Sequence, residues 1–196
     1  MQTSRQITVR LREAFAKGLE PENHILDLGA LDGEIDKLLL EVVPTLHITA
    51  VDQLTDEELA KRIIRNQRFT SPQIAWVIQG VELYTDSLAD NTKFDSILAQ
   101  NIFQFLDKDQ VLNRIIPRLQ TALAKNGQFA IRTFSAEPKP AFDTPMTSLY
   151  QLDDLLPLFP VGQWEIVLAE ANVFNSLSLR NDRRDFSIID LLARKR

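Results

Sequence analysis

Two acidic residues and two glycines are spaced as nucleoside binding requires. Asp27 lies in an apolar run that stops at Gly29, and a second glycine, Gly33, follows four residues later. A second apolar run, 46–51, ends in Asp52. Glycine lets a backbone turn tightly and approach a ligand without a Cβ in the way. The order strand, glycine turn, helix, strand and acid predicts a nucleoside pocket in a parallel α/β domain, with the second acid accepting hydrogen bonds from the ribose.

The elements that must position these residues alternate along the chain. Apolar runs predict strands at 24–28, 46–51, 73–79, 94–99 and 128–134. Amphipathic spacing and capping signals predict helices at 5–19, 33–43, 55–67, 108–124 and 151–159, with Asn126-Gly127 as the stop of the fourth. In the second helix, the apolar face is predicted to consist of Ile35, Leu38, Leu39 and Val42.

The C-terminal part of the chain changes this alternation. Residues 135–150 contain several prolines and no periodicity, which predicts a loop or lid that ends near Tyr150 and covers a bound substrate. Two strand patterns, 163–173 and 185–194, then follow one another with no helix between them. Such a pair predicts an antiparallel hairpin. The sequence therefore predicts a mostly parallel, seven-stranded sheet with helices on both faces and an antiparallel C-terminal β-hairpin.

Composition narrows the class of function. The 196 residues suit a single domain, 1–196, with residues 1–20 as a leading helix. The chain has no cysteine and two histidines, which excludes thiolate chemistry and disfavours a metal site. Its net charge of −5 argues against nucleic acid and acidic membranes as partners. Because neither a membrane span nor a signal peptide is apparent, we expect a cytoplasmic protein.

These motifs resemble those of the class I S-adenosylmethionine-dependent methyltransferases over roughly residues 22–194. The family's first motif, Asp-x-Gly-x-Gly-x-Gly, reads Asp27-Leu28-Gly29-Ala30-Leu31-Asp32-Gly33, and its ribose-binding acid matches Asp52. The family's adenine motif matches Gln79-Gly80-Val81-Glu82, and its fourth motif matches the stretch that ends in Gln100-Asn101. The C-terminal end is similar to that of small tellurite-resistance-type methyltransferases. The resemblance implies a Rossmann-like class I methyltransferase fold.

The same resemblance implies a site for S-adenosylmethionine, which leaves as S-adenosylhomocysteine. Asp27 is expected near the ammonium of the cofactor's amino-acid part, Asp52 at the ribose and Gln53 near adenine. Gln100, Asn101 and Phe105 are expected where the methyl group meets its acceptor. The complete expected cofactor-binding set is Asp27, Gly29, Ala30, Leu31, Gly33, Asp52, Gln53, Val81, Glu82, Gln100, Asn101 and Phe105. No catalytic residue is assigned, because a nucleophilic acceptor needs only to be positioned in line with the methyl group.

Two positions depart from the cofactor motifs and leave an alternative open. Leu31 stands where the family has its middle glycine, and Val81 where it has an acid. The first hypothesis is methyl transfer to a small-molecule acceptor by direct displacement. The alternative is a non-catalytic interaction or regulatory module with a degenerate cofactor loop. A nicotinamide-dependent oxidoreductase is disfavoured because the Gly-x-Gly-x-x-Gly spacing is absent.

Overall fold

A seven-stranded sheet forms the centre of the fold, in the order β3-β2-β1-β4-β5-β7-β6. The computed structural model describes residues 4–54, 69–136, 148–177 and 183–196. Its strands are β1 (His24–Leu28), β2 (His47–Asp52), β3 (Ile74–Ile78), β4 (Phe94–Gln100), β5 (Leu123–Phe134), β6 (Trp164–Leu177) and β7 (Arg183–Lys195). Strands β1 to β5 pair in parallel, and β7 runs antiparallel to both β5 and β6. The predicted mixed sheet with a C-terminal hairpin is therefore confirmed.

Helices cover both faces of this sheet. They are α1 (Ser4–Ala16), α2 (Glu34–Val42), α3 (Val81–Ser87), α4 (108–122) and α5 (Leu152–Leu155), the last continued by the 3-10 turn Leu156–Leu158. A further 3-10 turn, Phe103–Phe105, follows β4. Helix α3 was not predicted from the sequence. None of the helices in the described ranges is long and apolar enough to cross a membrane.

Two predicted segments fall on residues outside the described ranges. The predicted helix 55–67 lies wholly outside them, and so do residues 137–147 of the predicted lid. The end of that segment is described and differs from the expectation. Tyr150 is fully buried in the core, where its hydroxyl donates to the carbonyl oxygen of Phe103 at 3.1 Å. Its ring is therefore part of the core and does not cover a substrate. The lid and the single-domain organisation stay predictions.

Helix α4 is interrupted and ends earlier than predicted. A π turn, Val111–Ile115, lies just before Pro117. Because proline has no N–H and its ring crowds the carbonyl four residues back, the regular helical pattern cannot continue through it. The last helical residue is Ala122, and the ammonium of Lys195 donates to the carbonyl oxygens of Gln120 and Leu123 at 2.8 and 3.0 Å. A residue from β7 thus satisfies the end of the helix.

The Asn126-Gly127 pair is not the stop of that helix. It lies at an irregularity near the start of β5, where β5 advances five residues while β4 advances two. Asn126 has a φ of 65°, and a Cβ on Gly127 would lie 2.8 Å from the carbonyl oxygen of Asp95. The pair therefore shapes a bulge in the sheet.

Alternation along the strands divides the core into two layers. On β1, Ile25 packs with Leu11 of α1 and Leu39 of α2, whereas Leu26 packs with the layer that contains α3, α4 and α5. Asp27 follows Leu26 and therefore lies on the same face as Ile25, beneath α1 and α2. The sheet thus carries a carboxylate on its α1/α2 face at the carboxyl end of β1.

Candidate functional site

The strand order reverses between β1 and β4, and this reversal locates the candidate site. From β1 the chain adds β2 and β3 on one side, and then crosses to add β4 and β5 on the other. In open α/β sheets, ligands bind in the crevice outside the carboxyl ends of the strands at such a switch point. A Cβ on Gly29, just after β1, would lie 2.9 Å from the Cβ of Ile102, just after β4. The loops after β1 and β4 therefore meet at this crevice.

The loop after β1 needs its glycines for backbone and packing reasons. Gly29 and Gly33 have φ values of 78° and 77°, in the left-handed region. A Cβ on Gly33 would come within 3.0 Å of a ring carbon of Trp76. The bare side of Gly33 therefore packs against the protein.

Asp52 joins the glycine loop to the end of β2. One of its carboxylate oxygens accepts the N–H of Leu31 at 3.0 Å, and the other accepts the N–H of Leu54 at 2.8 Å. A carboxylate offers about four acceptor positions, and the described residues occupy two of those of Asp52. The buried Asp52 is held rigidly with acceptor capacity to spare, as the ribose role requires.

Leu31, the departure from the glycine motif, is accommodated in this arrangement. Its φ of 53° gives the left-handed conformation that a glycine would adopt, and its N–H makes the bond to Asp52. Its side chain is 40% exposed. The turn therefore keeps its path with leucine in the middle position.

The predicted adenine-binding residues also come together. A Cβ on Gly80 would lie 3.6 Å from a carboxylate oxygen of Glu82 and 3.9 Å from the amide oxygen of Gln53. Gln53 follows β2, and Glu82 lies in the first turn of α3. Val81, which directly precedes Glu82, is buried, and its side chain packs in the core. The polar pair Gln53 and Glu82 thus borders one end of the crevice.

The residues after β4 border the other end. Asn101 has a φ of 53°, and its N–H donates to the carbonyl oxygen of Arg132 at 2.8 Å. The side-chain nitrogen of Gln100 is buried and has no hydrogen-bond partner among the residues that the structure describes. Phe105, in the 3-10 turn that follows, keeps an exposed ring face. Gln100 therefore has an unused donor at this end of the crevice.

Asp27 is almost fully buried at the carboxyl end of β1, 2% exposed. Burial raises the pKa of Asp27 well above its usual range, and the carboxyls of Asp36 and Asp52 raise it further. A buried carboxylate is stable only with compensating partners. The carboxyl of Asp27 is therefore stabilised when it keeps a proton or binds a cation.

Sequence reasoning missed Asp36, on the first turn of α2. It is 0% exposed, whereas Leu38 and Val42, predicted for the buried face, are 37% and 63% exposed. The signal was present in the spacing, because Asp36 precedes Leu39 by three residues and Val43 by seven, and both pack with the α1/α2 layer. An acid among apolar residues at that spacing identifies a buried polar position.

The carboxyl groups of Asp27 and Asp36 interact, since each shifts the pKa of the other. Neither oxygen of Asp36 accepts a hydrogen bond from any N–H or hydroxyl within the described ranges. Two carboxyls can bond to each other only when one of them carries a proton. Burial raises the pKa of Asp36 to about 6, although its bond to Asp27 opposes that shift. The two residues form a buried acid pair beside the glycine loop.

Comparison with known proteins identifies chains of similar sequence and similar fold. No family model matches the chain. The chain is 28% identical over 181 residues to a malonyl-[acyl-carrier protein] O-methyltransferase from Paenibacillus sp. (strain JDR-2), covering 87% of this chain and 62% of that relative. Among solved structures, TehB from Haemophilus influenzae superimposes with a TM-score of 0.72 at 18% identity, covering 96% of this chain and 62% of TehB.

A further solved structure extends the likeness. The 1,6-didemethyltoxoflavin-N1-methyltransferase from Burkholderia thailandensis, solved with S-adenosylhomocysteine, gives a TM-score of 0.64 at 18% identity and covers 95% of this chain and 76% of that chain. The chain thus has the fold of the class I S-adenosylmethionine-dependent methyltransferases, which confirms the predicted fold class. It spans 62% of the length of the curated relative and of TehB.

Proposed function

We propose that this chain binds S-adenosylmethionine at the carboxyl edge of β1, β2 and β4 and transfers its methyl group to a small-molecule acceptor. The observation that carries the proposal is the state of Asp52. Its carboxylate is fixed by the N–H groups of Leu31 and Leu54, beside the strand-order switch, and has acceptor positions that no other described residue occupies. The similarity to methyltransferases, one of them solved with S-adenosylhomocysteine, supports the same cofactor.

The cofactor's parts distribute over the crevice according to their chemistry. Asp52 accepts the ribose hydroxyls, and Gln53 with Glu82 borders the adenine. The pair that includes Asp27 faces the ammonium of the amino-acid part. The full proposed contact set is Asp27, Gly29, Ala30, Leu31, Gly33, Asp52, Gln53, Val81, Glu82, Gln100, Asn101 and Phe105, with Val81 contributing through its backbone because its side chain is in the core.

Transfer itself places few demands on the protein. The sulfonium makes the methyl group electrophilic, so the chain needs to hold the acceptor in line and to exclude water. Gln100 and Asn101, at the end of β4, are placed to orient the acceptor, and the unused Gln100 amide supplies a donor. Both histidines of the chain open their strands, β1 and β2, at the opposite edge of the sheet. We therefore propose an acceptor that brings its own nucleophile, such as a carboxylate or an amine.

The alternative of a non-catalytic module gains no support from the loop geometry. Leu31 keeps the turn and the hydrogen bond to Asp52, with its side chain partly in solvent. The relatives named above act on different acceptors, a malonyl-[acyl-carrier protein] and 1,6-didemethyltoxoflavin. They support a methyl acceptor of small size without selecting one. Cytoplasmic location stays a prediction from composition.

Calorimetry with S-adenosylhomocysteine tests the proposal directly. We expect saturable binding with one site per chain at pH 7.5, and mass spectrometry of the purified protein to detect the cofactor or its product. Glu41→Gln, an exposed acid-to-amide change on α2, is the matched control and should bind as the wild type does. Absence of binding at millimolar ligand would overturn the proposal.

A further inference from the structure

A tryptophan outside the proposed contact set lies against the glycine loop. Trp76 is in the middle of β3, opposite Ala50 of β2 in the sheet register. Its side chain packs with the α1/α2 layer of the core, on the face of the sheet that carries Asp27. Its indole N–H donates to the carbonyl oxygen of Phe69, shortly before β3, at 3.2 Å. This hydrogen bond fixes the orientation of the ring.

Two contacts link the indole and its partner Phe69 to the end of the glycine loop. The ring packs on the bare side of Gly33, where a Cβ would lie 3.0 and 3.4 Å from two carbons of the six-membered ring of Trp76. The same Cβ would lie 3.3 Å from the Cβ of Phe69. Phe69 also donates its N–H to the carbonyl oxygen of Asp32 at 2.8 Å. Packing and a backbone hydrogen bond therefore hold Asp32 and Gly33 from the side of β3.

The beginning of the glycine loop is attached to β2 instead. The N–H groups of Gly29 and Ala30 donate to the carbonyl oxygen of Val51 at 2.8 and 3.3 Å, and the N–H of Leu31 donates to Asp52. Leu31 has a φ of 53°, a left-handed conformation that persists in a non-glycine residue only when its surroundings hold it. The bonds to β2 hold the first three residues of the loop, and the contacts from the β3 side hold the two residues that follow.

We propose that Trp76 is a positioning residue for the cofactor, acting through its contact with Gly33. The inference rests on the proposed function and deepens it. With the indole in place, the ligand-free protein already holds the glycine loop in the conformation that S-adenosylmethionine meets. Without the indole, the loop adopts that conformation for only part of the time, and the apparent affinity for the cofactor falls in proportion to that fraction.

The chain offers a matched control, because it has two tryptophans. Trp76→Phe removes the indole N–H and the six-membered ring that touches Gly33, and it keeps an aromatic side chain in the core. Trp164→Phe makes the same change at the first residue of β6, where the buried ring packs on the other face of the sheet. Both variants lose packing in the core, so both should be less stable than the wild type. Only Trp76→Phe should alter the affinity for the cofactor.

The experiment is calorimetric titration of S-adenosylhomocysteine at pH 7.5, at a temperature where circular dichroism shows every variant folded. We expect Trp76→Phe to bind roughly threefold to tenfold more weakly than the wild type, the range that corresponds to one lost hydrogen bond. Trp164→Phe should bind within about twofold of the wild type. Trp76→Tyr, at the same half-buried position, also removes the indole N–H and replaces Trp76→Phe if that variant does not fold.

A double-mutant cycle with Gly33→Ala tests the contact itself. Gly33→Ala places a Cβ against the indole at a φ of 77°, so it should weaken binding on its own. In the double variant with Trp76→Phe, the smaller ring leaves room for that Cβ. The combined loss of affinity should therefore be smaller than the product of the two single losses.

The outcomes separate the inference from the proposed function. If the wild type binds and Trp76→Phe binds equally well, or if the two tryptophan variants are weakened alike, the indole does not position the loop and the inference is overturned. Single losses that multiply in the double variant would likewise show that Trp76 does not act through Gly33. If the wild type itself fails to bind, the proposed function falls first and takes the inference with it.

Discussion

The α1/α2 face of the sheet holds two buried acidic sites that are treated in opposite ways. Between β5 and β7, Asp190 receives two hydrogen bonds of 2.6 Å from the guanidinium of Arg132, with both side chains buried. At the end of β1, Asp27 lies against Asp36, a second acid. The first carboxylate has a cation within the protein, whereas the described residues that shift the pKa of the second, Asp36 and Asp52, are both acids.

The difference distinguishes a structural site from a binding site. Burial raises the pKa of Asp190 even though Arg132 opposes the shift, so a bidentate cation only partly offsets desolvation. The Asp27–Asp36 pair is also desolvated, and no cation is among the described residues that shift its pKa values most. An ion pair completed within the fold needs no ligand, whereas an incomplete one stabilises a ligand that brings the missing charge. The predictions below test this distinction.

The largest effect should come from breaking the ion pair between Arg132 and Asp190. Arg132→Met leaves Asp190 buried without its cation, and the free energy of unfolding should fall by about 3–5 kcal/mol. Urea denaturation measures it. The double variant Arg132→Met with Asp190→Leu removes the stranded charge and should recover much of that loss. Equal losses in the single and double variants would show that the pair is not what stabilises this region.

The next effect concerns cofactor affinity. Asp52→Ala removes the acceptor proposed for the ribose, and S-adenosylhomocysteine binding should weaken by about 1–3 kcal/mol. Because the same carboxylate holds the N–H groups of Leu31 and Leu54, the variant also loosens the glycine loop. Asp52→Asn keeps one acceptor oxygen and should lie between Ala and wild type in calorimetry. An unchanged affinity in both variants would place the ribose elsewhere.

The Asp27–Asp36 pair should make the free energy of unfolding depend on pH. The pKa of Asp36 is raised above its unfolded value, to about 6, so its contribution to stability is present in acid and is lost as the pH rises through about 6. Asp36→Asn removes the buried charge and should stabilise the ligand-free protein by about 1–3 kcal/mol at pH 8 and by less at pH 5. Urea denaturation at both pH values measures it, with Glu41→Gln expected to change little at either. If Asp36→Asn destabilised the protein at pH 8, the buried charge of Asp36 would not be destabilising the fold.

Where the sequence predicted the fold, local signals were strong and independent of the rest of the molecule. The prediction of β1 at 24–28 agrees with the observed His24–Leu28, because an apolar run is bounded by a turn on both sides. The end of α4 was wrong because Lys195, distant in sequence, satisfies its last carbonyls. Helix α3 was missed because its N-cap, Gly80, provides no side-chain hydrogen bond that the sequence would signal.

At the candidate site, the sequence predicted the residues at the strand ends better than the buried acid on α2. Asp52 and the glycine turn follow from motif spacing, since each lies at the end of a strand. Asp36 did not, because patterning assigns charged residues to the exposed face of a helix and this one is buried. An acid that breaks the pattern is therefore informative, since its burial needs a reason that packing cannot supply.

The smallest expected effect concerns Leu31, where the sequence departs most from the cofactor motif. Leu31 adopts a left-handed backbone at φ 53°, which costs a leucine about 1–2 kcal/mol relative to glycine. Glycine in turn has more conformational freedom to lose on folding, about 0.5–1 kcal/mol. The two terms oppose each other, so Leu31→Gly should change the free energy of unfolding by no more than about 1.5 kcal/mol.

The affinity of Leu31→Gly for S-adenosylhomocysteine decides what that departure means. The N–H of residue 31 still bonds Asp52 in the variant, and the lost side chain is 40% exposed. Calorimetry should therefore give an affinity within about fivefold of the wild type, or about 1 kcal/mol. A leucine that occupied the cofactor's place would instead be a block, and its removal would tighten binding more than tenfold. That result would mean that Leu31 closes the cofactor site beside the acid pair. The non-catalytic hypothesis would then account better for Leu31.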